Sequence, residues 1–151
     1  MTATATTPAL NGRSYDDIAV GEVLPELAIP LTRTLIVATA LATRDFQDVH
    51  HDPDLARERG SEDVFMNILT SNGLAGRFVT DWAGPAVSVR RVKIRLGAPN
   101  YPGDTMTMTG EVVSKENGLV EVKVQGANSL GNHLSGTVTV AYPAASEGKD
   151  A

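Results

Sequence analysis

The chain has no cysteine. That absence excludes disulfides, thiolate catalysis and cysteine-ligated zinc. Positive charge is also short: 13 Lys+Arg stand against 18 Asp+Glu, a formal net charge of −5 at pH 7. A general nucleic-acid binder usually shows the opposite balance. No apolar run approaches the length of a membrane span. The opening residues, Met1 to Pro8, hold neither a basic start nor an apolar segment, so a secretory signal is not expected and the reading is cytoplasmic. Histidine is scarce, with three in 151 residues, and two of those three are neighbours.

The rest is ordinary for one soluble domain. The 42% hydrophobic fraction is enough for a core and the 21% charged fraction is typical. Residues 1–14 and 144–151 are small and polar with little to bury, and read as disordered tails around a single domain at 15–143. There is no internal repeat and no linker dividing that domain.

Along the domain, Val23–Ile29 reads as a short strand, weakened by Pro25. Thr34 can cap a helix running from Leu35 to Thr43, and Asp54–Arg59 can add one helical turn. A longer helix is expected from Asn67, a good N-cap, to Trp82. Phe65, Ile68, Leu69, Asn72, Ala75, Gly76 and Val79 recur at helical spacing there. Gly73, Ala75 and Gly76 weaken the isolated helix, and their small size would let a sheet approach it closely. The last third reads as four strands. Val87 and Val89 alternate, then Val92, Ile94 and Leu96 alternate in the opposite phase, which a bulge near Arg90-Arg91 explains. Turns are expected at Asn100–Asp104, at Asn117-Gly118 and at Gly131-Asn132, the last placing His133 at the surface. Strand, helix, loop, buried helix and four strands compose an α+β hotdog fold, one long central helix wrapped by an antiparallel sheet. Such a sheet keeps an open edge, and a single copy of this size usually completes itself by pairing with a second hotdog.

Chemistry concentrates between the two helices, in Arg44-Asp45-Phe46-Gln47-Asp48-Val49-His50-His51-Asp52-Pro53, where three acids and two imidazoles share one loop. A carboxylate and an imidazole held together can move protons in both directions near neutral pH. Five residues on a continuing helix rotate a side chain by about 140°, so Asp45 and His50 would diverge. A helix ending near Asp45 lets the loop fold back, and the two groups could then hold one water.

The same segment resembles the hydratase motif of the MaoC-like enoyl-CoA hydratases, in which an aspartate is followed five positions on by a histidine and two further on by an acid. Asp45, His50 and Asp52 fit that spacing. The resemblance spans about Val23 to Tyr142 and includes Pro102-Gly103-Asp104. Within the family, Ala40–Asp52, Asn67–Thr70 and Val79–Pro85 are most similar to the small catalytic subunit of actinobacterial steroid side-chain hydratases. The resemblance implies hydration of an α,β-unsaturated acyl-CoA, with a steroid acyl group of the cholesterol side-chain degradation type. Asp45 and His50 would be the catalytic pair, and a second MaoC-like subunit would complete an α2β2 heterotetramer. It implies no metal or redox cofactor, coenzyme A arriving as part of the substrate. The developing thioester oxyanion would be met at the amino end of the long helix by the main-chain N–H of Asn67, where most of the family has glycine. Gln47-Asp48 replaces the family's usual Asn-Pro.

Each signal has a plainer reading. Asp45 could simply end a helix, and His50 could be a hydrogen-bonded structural imidazole. His51 is expected to face solvent. His50 and His51 with Asp48 or Asp52 could bind a metal. Arg90, Arg91, Lys93 and Arg95 could be the outer face of a strand or a landing site for coenzyme A phosphates. Two other functions fit the fold: a hotdog thioesterase, or a non-catalytic subunit that completes its partner's sheet.

Overall fold

The computed structural model describes residues 12–143. Strand β1 (Leu27–Pro30) leads into helix α1 (Arg33–Ala42), helix α2 (Pro53–Glu58) and helix α3 (Ile68–Ala83). Strands β2 (Ser88–Leu96), β3 (Thr105–Glu116), β4 (Leu119–Asn128) and β5 (Gly131–Ala141) follow. All pairings are antiparallel, and the five strands lie in the order β1-β3-β4-β5-β2. The sheet packs on α3, chiefly through β2 and β5, in the hotdog layout, and β1 and β2 remain its edges.

The alternation read from the sequence sets the sheet's inner face. Met106, Met108, Val112, Val120, Val122, Val124, Val138 and Val140 are all buried. A side chain of this kind gains about 1.5–3 kcal/mol on full burial, so this row carries much of the folding free energy. The hairpin at Asn117-Gly118 has φ of 53° and 76°, the paired left-handed conformation of a type I′ turn. The expected phase switch in β2 is also present: the register with β5 shifts between Val89 and Arg91, leaving Arg90 as the bulged residue.

Several boundaries differ. The first strand is shorter than expected, and Val23 makes only an isolated bridge to Glu111, because Pro25 cannot donate to a ladder. Helix α1 is capped by Thr32, whose hydroxyl accepts from the Leu35 N–H, rather than by Thr34. The buried face of α3 is Ser71, Leu74, Ala75, Phe78 and Val79, whereas Ile68 and Leu69 are exposed. Gly73 opens onto empty space, so it does not admit the sheet. Close approach comes largely from the sheet side, where a Cβ on Gly110 of β3 would lie 2.8 Å from the Phe78 ring. The last turn falls at Ser129-Leu130, two residues before the expected one, and Gly131 already belongs to β5. Arg13, placed in the tail by composition, donates its N–H to the Ala83 carbonyl, pairs with Glu22 and lies over the Trp82 ring. Gly12 and Ser14 are described as well, Gly12 lying against Gly84 and Ser14 capping the 3-10 turn at Tyr15–Asp17, whereas residues 1–11 and 144–151 lie outside the described part. No helix among the described residues is long and apolar enough to cross a membrane.

Candidate active site

The end of α1 positions Asp45. Thr43 closes the helix and Arg44 follows with φ 58°, a left-handed residue. The Arg44 N–H donates to the Leu41 carbonyl at 3.0 Å and the Asp45 N–H to the Ala40 carbonyl at 2.9 Å. This is a Schellman closure, which carries the chain back across the helix end. A single 3-10 turn, Asp48–His50, then delivers His50. The helical divergence of Asp45 and His50 is thereby removed, as a helix ending near Asp45 allows.

His50 is buried, and its ring meets Phe65 edge to face. Its Nδ1 lies 2.7 Å from the Phe65 carbonyl oxygen. A carbonyl can only accept, so Nδ1 carries the proton and donates. In the neutral ring Nε2 is therefore a lone pair, and it faces Asp45 Oδ2 at 3.4 Å. That separation exceeds the roughly 2.7–2.9 Å of a tight charge-assisted bond. Two acceptor atoms face one another, and a single water beside them could donate to both.

Asn67 closes the third side. Its Oδ1 accepts from the Thr70 N–H at 3.0 Å and caps α3. Its Nδ2 donates to Thr43 Oγ1 at 2.9 Å and to Asp45 Oδ2 at 3.1 Å. The main-chain N–H groups of Asn67, Ile68 and Leu69 take no acceptor among the described residues. They stand at the positive end of the α3 dipole, where developing negative charge is favoured. A cavity of about 290 Å³ opens beside this end, with His50, Phe65, Met66, Ile68, Leu96 and His133 in its wall.

The MaoC like domain is matched over residues 18–132. The chain belongs to the MaoC-like family. It is 56% identical over 119 residues to the 3-oxo-4,17-pregnadiene-20-carboxyl-CoA hydratase beta subunit of Mycobacterium tuberculosis, covering 79% of this chain and 92% of that one. Among solved structures, the ChsH1-ChsH2 complex from Mycobacterium tuberculosis matches with a TM-score of 0.81 and 54% identity, over 83% of this chain and 98% of the matched chain. The R-hydratase PhaJ1 from Pseudomonas aeruginosa matches with a TM-score of 0.80 over 87% of this chain and 86% of that one. Its identity is 19%, so that likeness speaks for the fold alone.

The other residues singled out in this MaoC-like chain are spread out. Asp52 caps α2 by accepting from the N–H groups of Asp54 and Leu55 at 3.0 and 3.1 Å. Asp48 pairs with Arg59 at 2.7 Å. His51 is exposed, its Nε2 3.2 Å from the Phe46 carbonyl. Both carboxylates that could join the histidines around a metal are thus engaged elsewhere. In β2, Arg91, Lys93 and Arg95 share one face and pair in register with Thr139, Thr137 and Ser135. Val92, Ile94 and Leu96 point the other way, into the core, with Leu96 at the cavity. The sheet therefore stands between these three cations and the cavity, and Arg90 sits in the bulge.

One residue was misplaced by sequence reasoning. His133 is buried in β5, not exposed in a turn. In the β4 pairing, Asn132 opposes Ala127 and Leu134 opposes Gly126, so His133 is the extra residue of a bulge. Its Nδ1 lies 2.7 Å from the Ala98 carbonyl and its Nε2 2.8 Å from Ser71 Oγ. Burial holds its pKa below the ordinary 6.5, with the Ala98 carbonyl opposing that shift. The available signal was the alternation itself: Leu134, Val138 and Val140 form an inward row, so a histidine next to Leu134 needs a bulge to turn inward.

Proposed function

We propose that this chain is the hydratase subunit that carries the water-activating pair, acting on an α,β-unsaturated acyl-CoA with a steroid acyl group. The observation that carries this is the opposed Nε2 of His50 and Oδ2 of Asp45 at 3.4 Å, beside the free N–H groups that open α3. The relative's name supplies the substrate class: a 17-ene conjugated to a C20 carboxyl thioester has C17 as its β-carbon and C20 as its α-carbon. Hydration forms a C17–O bond, leaves a hydrogen on C20 and consumes one water. Asp45 and His50 hold the water between them; one accepts its proton, and a proton is returned to the α-carbon on the same face. Acid–base assistance of this kind contributes roughly 10²–10⁴-fold. As the π-electrons move toward the thioester oxygen, the Asn67 N–H at the helix terminus meets the growing charge. No metal or redox group enters this chemistry, and coenzyme A comes with the substrate.

A second subunit fits the surfaces left open. β2 is an edge strand, and Phe46, Ile68 and Leu69 are exposed apolar residues adjoining Asp45 and Asn67 in the chain. The relative is a beta subunit and the matched structure is a two-component complex, which supports assembly with a second MaoC-like chain as an α2β2 heterotetramer. Arg91, Lys93 and Arg95 can meet coenzyme A only where its phosphates run along the outer face of the sheet.

The test mixes the chain with its partner subunit and a steroid enoyl-CoA. The conjugated thioester absorbance should disappear without release of thiol. Thiol release would make the protein a thioesterase. Asp45→Asn should abolish turnover with folding intact; an active Asp45→Asn complex would leave this chain a structural subunit.

A further inference from the structure

We propose that Asn67 acts through its side chain as a positioning residue for Asp45, a role separate from that of its main-chain N–H. The proposal rests on the reading of Asp45 and His50 as the water-holding pair. Asn67 is 1% exposed and every polar atom of its amide is engaged. The orientation of the amide is determined by its neighbours. The Thr70 N–H can only donate, so Oδ1 lies on that side, and the Asp45 carboxylate can only accept, so Nδ2 lies on the other. The Thr70 hydroxyl donates to the same Oδ1, and Thr43 Oγ1 takes the second Nδ2 hydrogen. Thr43 in turn donates to the Thr39 carbonyl at 2.8 Å, tying the group into the end of α1.

The oxygen that Asn67 holds is Oδ2, the same atom that faces His50 Nε2. Oδ1 has only a long 3.4 Å contact from the Gln47 N–H. Without Asn67 the carboxylate would be free to rotate, and its Oδ2 lone pairs would no longer be aimed at the water's place. Asn67 thus joins three parts in one rigid residue: the cap of α3, the aim of the carboxylate, and the N–H offered to the thioester oxygen. Glycine at this position could supply only the last.

The test uses the assembled complex with its partner and compares Asn67→Ser with Asn67→Asp. Serine and aspartate cap helices about as well as asparagine, and both keep the main-chain N–H. Serine removes the donor to Asp45; aspartate replaces it with an opposing acceptor charge. The expected result is an unchanged KM, a melting temperature lowered modestly for serine and further for aspartate, and, measured where each variant is still folded, kcat lower by about tenfold for serine and about a hundredfold or more for aspartate. In the aspartate variant the acid limb of kcat/KM should also move to higher pH, since a second carboxylate joins Asp45 opposite His50. If capping is the residue's whole role, both variants turn over normally, and the proposal is overturned. A loss confined to KM overturns it too. Should the aspartate variant fail to fold, the serine variant decides alone. Asp45→Asn, assayed alongside, separates the two levels. If it is active, the water-holding pair itself is wrong; if it is inactive while both Asn67 variants are normal, only the positioning role is lost.

Discussion

Two buried imidazoles, His50 and His133, line the same cavity and are gripped alike on one side. Each Nδ1 lies 2.7 Å from a main-chain carbonyl, Phe65 for one and Ala98 for the other. Both rings therefore carry their proton on Nδ1 and present Nε2 as the remaining atom. There the likeness ends. Nε2 of His133 has a hydroxyl partner at 2.8 Å, Ser71 Oγ, which can donate to it. Nε2 of His50 faces a carboxylate at 3.4 Å, an atom that cannot donate. A neutral His133 is satisfied within the protein. A neutral His50 is left needing a donor from outside, and water is the smallest one. Burial by itself therefore does not mark a reactive histidine; an unmet hydrogen-bonding need on one nitrogen does.

Exchanging the roles should give the largest effect. His50→Ala is expected to lower kcat by roughly 10²–10⁴-fold and, since it strands the Phe65 carbonyl, to cost about 1–2 kcal/mol of stability. His133→Ala should weigh the other way, with the larger loss in stability and the smaller in turnover. It strands the Ala98 carbonyl and the Ser71 hydroxyl and enlarges the cavity, costing about 2–4 kcal/mol of stability. For a chain of this length that lowers the melting temperature by about 3–4 °C per kcal/mol. Turnover, measured where the variant is still folded, should fall less than about tenfold. Thermal unfolding and steady-state kinetics on the two variants break the comparison if His133→Ala proves the more damaging to kcat.

The sequence revealed one of these histidines and hid the other, for reasons of scale. The Asp45–His50 relation is local. Its ingredients are a helix that stops, one left-handed residue and a short turn, all within eleven positions from Ala40 to His50. The long α3 helix and the valine rows of β4 and β5 were legible for the same reason, since their periods show within one element. Two things were not. The left-handed φ of Arg44 carries no signature, because glycine is the residue that usually announces such a turn. His133 depends on a bulge in the β4–β5 pairing, and a bulge is a property of two strands together. Reading Gly131-Asn132 as the turn displaced the hairpin by two residues and put His133 outside. The side-chain bridge from Asn67 to Asp45 was hidden likewise, because it joins the ends of two helices 22 residues apart.

A smaller change sharpens the same contrast from the partner's side. Ser71→Ala leaves the His133 ring in place but removes the donor to Nε2, recreating in part the unmet state of His50. The hydroxyl is fully buried, so the loss should be about 1–3 kcal/mol, less than for His133→Ala. Chemical denaturation should show a lower midpoint with an unchanged slope. If the two variants are equally destabilised, the hydroxyl accounts for the whole contribution of the pair and the imidazole adds nothing through its packing.

The smallest expected effect is in pH. Burial lowers the His133 pKa, so below 6.5 the unfolded chain takes up a proton at this ring more readily than the folded protein does. More protons are then bound by the unfolded state, so stability rises with pH. The contribution is complete above pH 6.5 and drains away as the pH falls below it. A strongly shifted carboxyl acts in a separate window. Asp63, held at about 2 by the hydrogen-bonded Arg33 guanidinium, gives up its stabilisation only as pH falls from 3.8 towards 2. Melting temperatures between pH 7 and pH 5 therefore isolate the histidine. His133→Gln, which keeps a neutral polar side chain, should flatten that slope relative to the parent protein. Equal slopes would mean that His133 takes up its proton without unfolding, with Ser71 turning its hydroxyl to accept from Nε2–H.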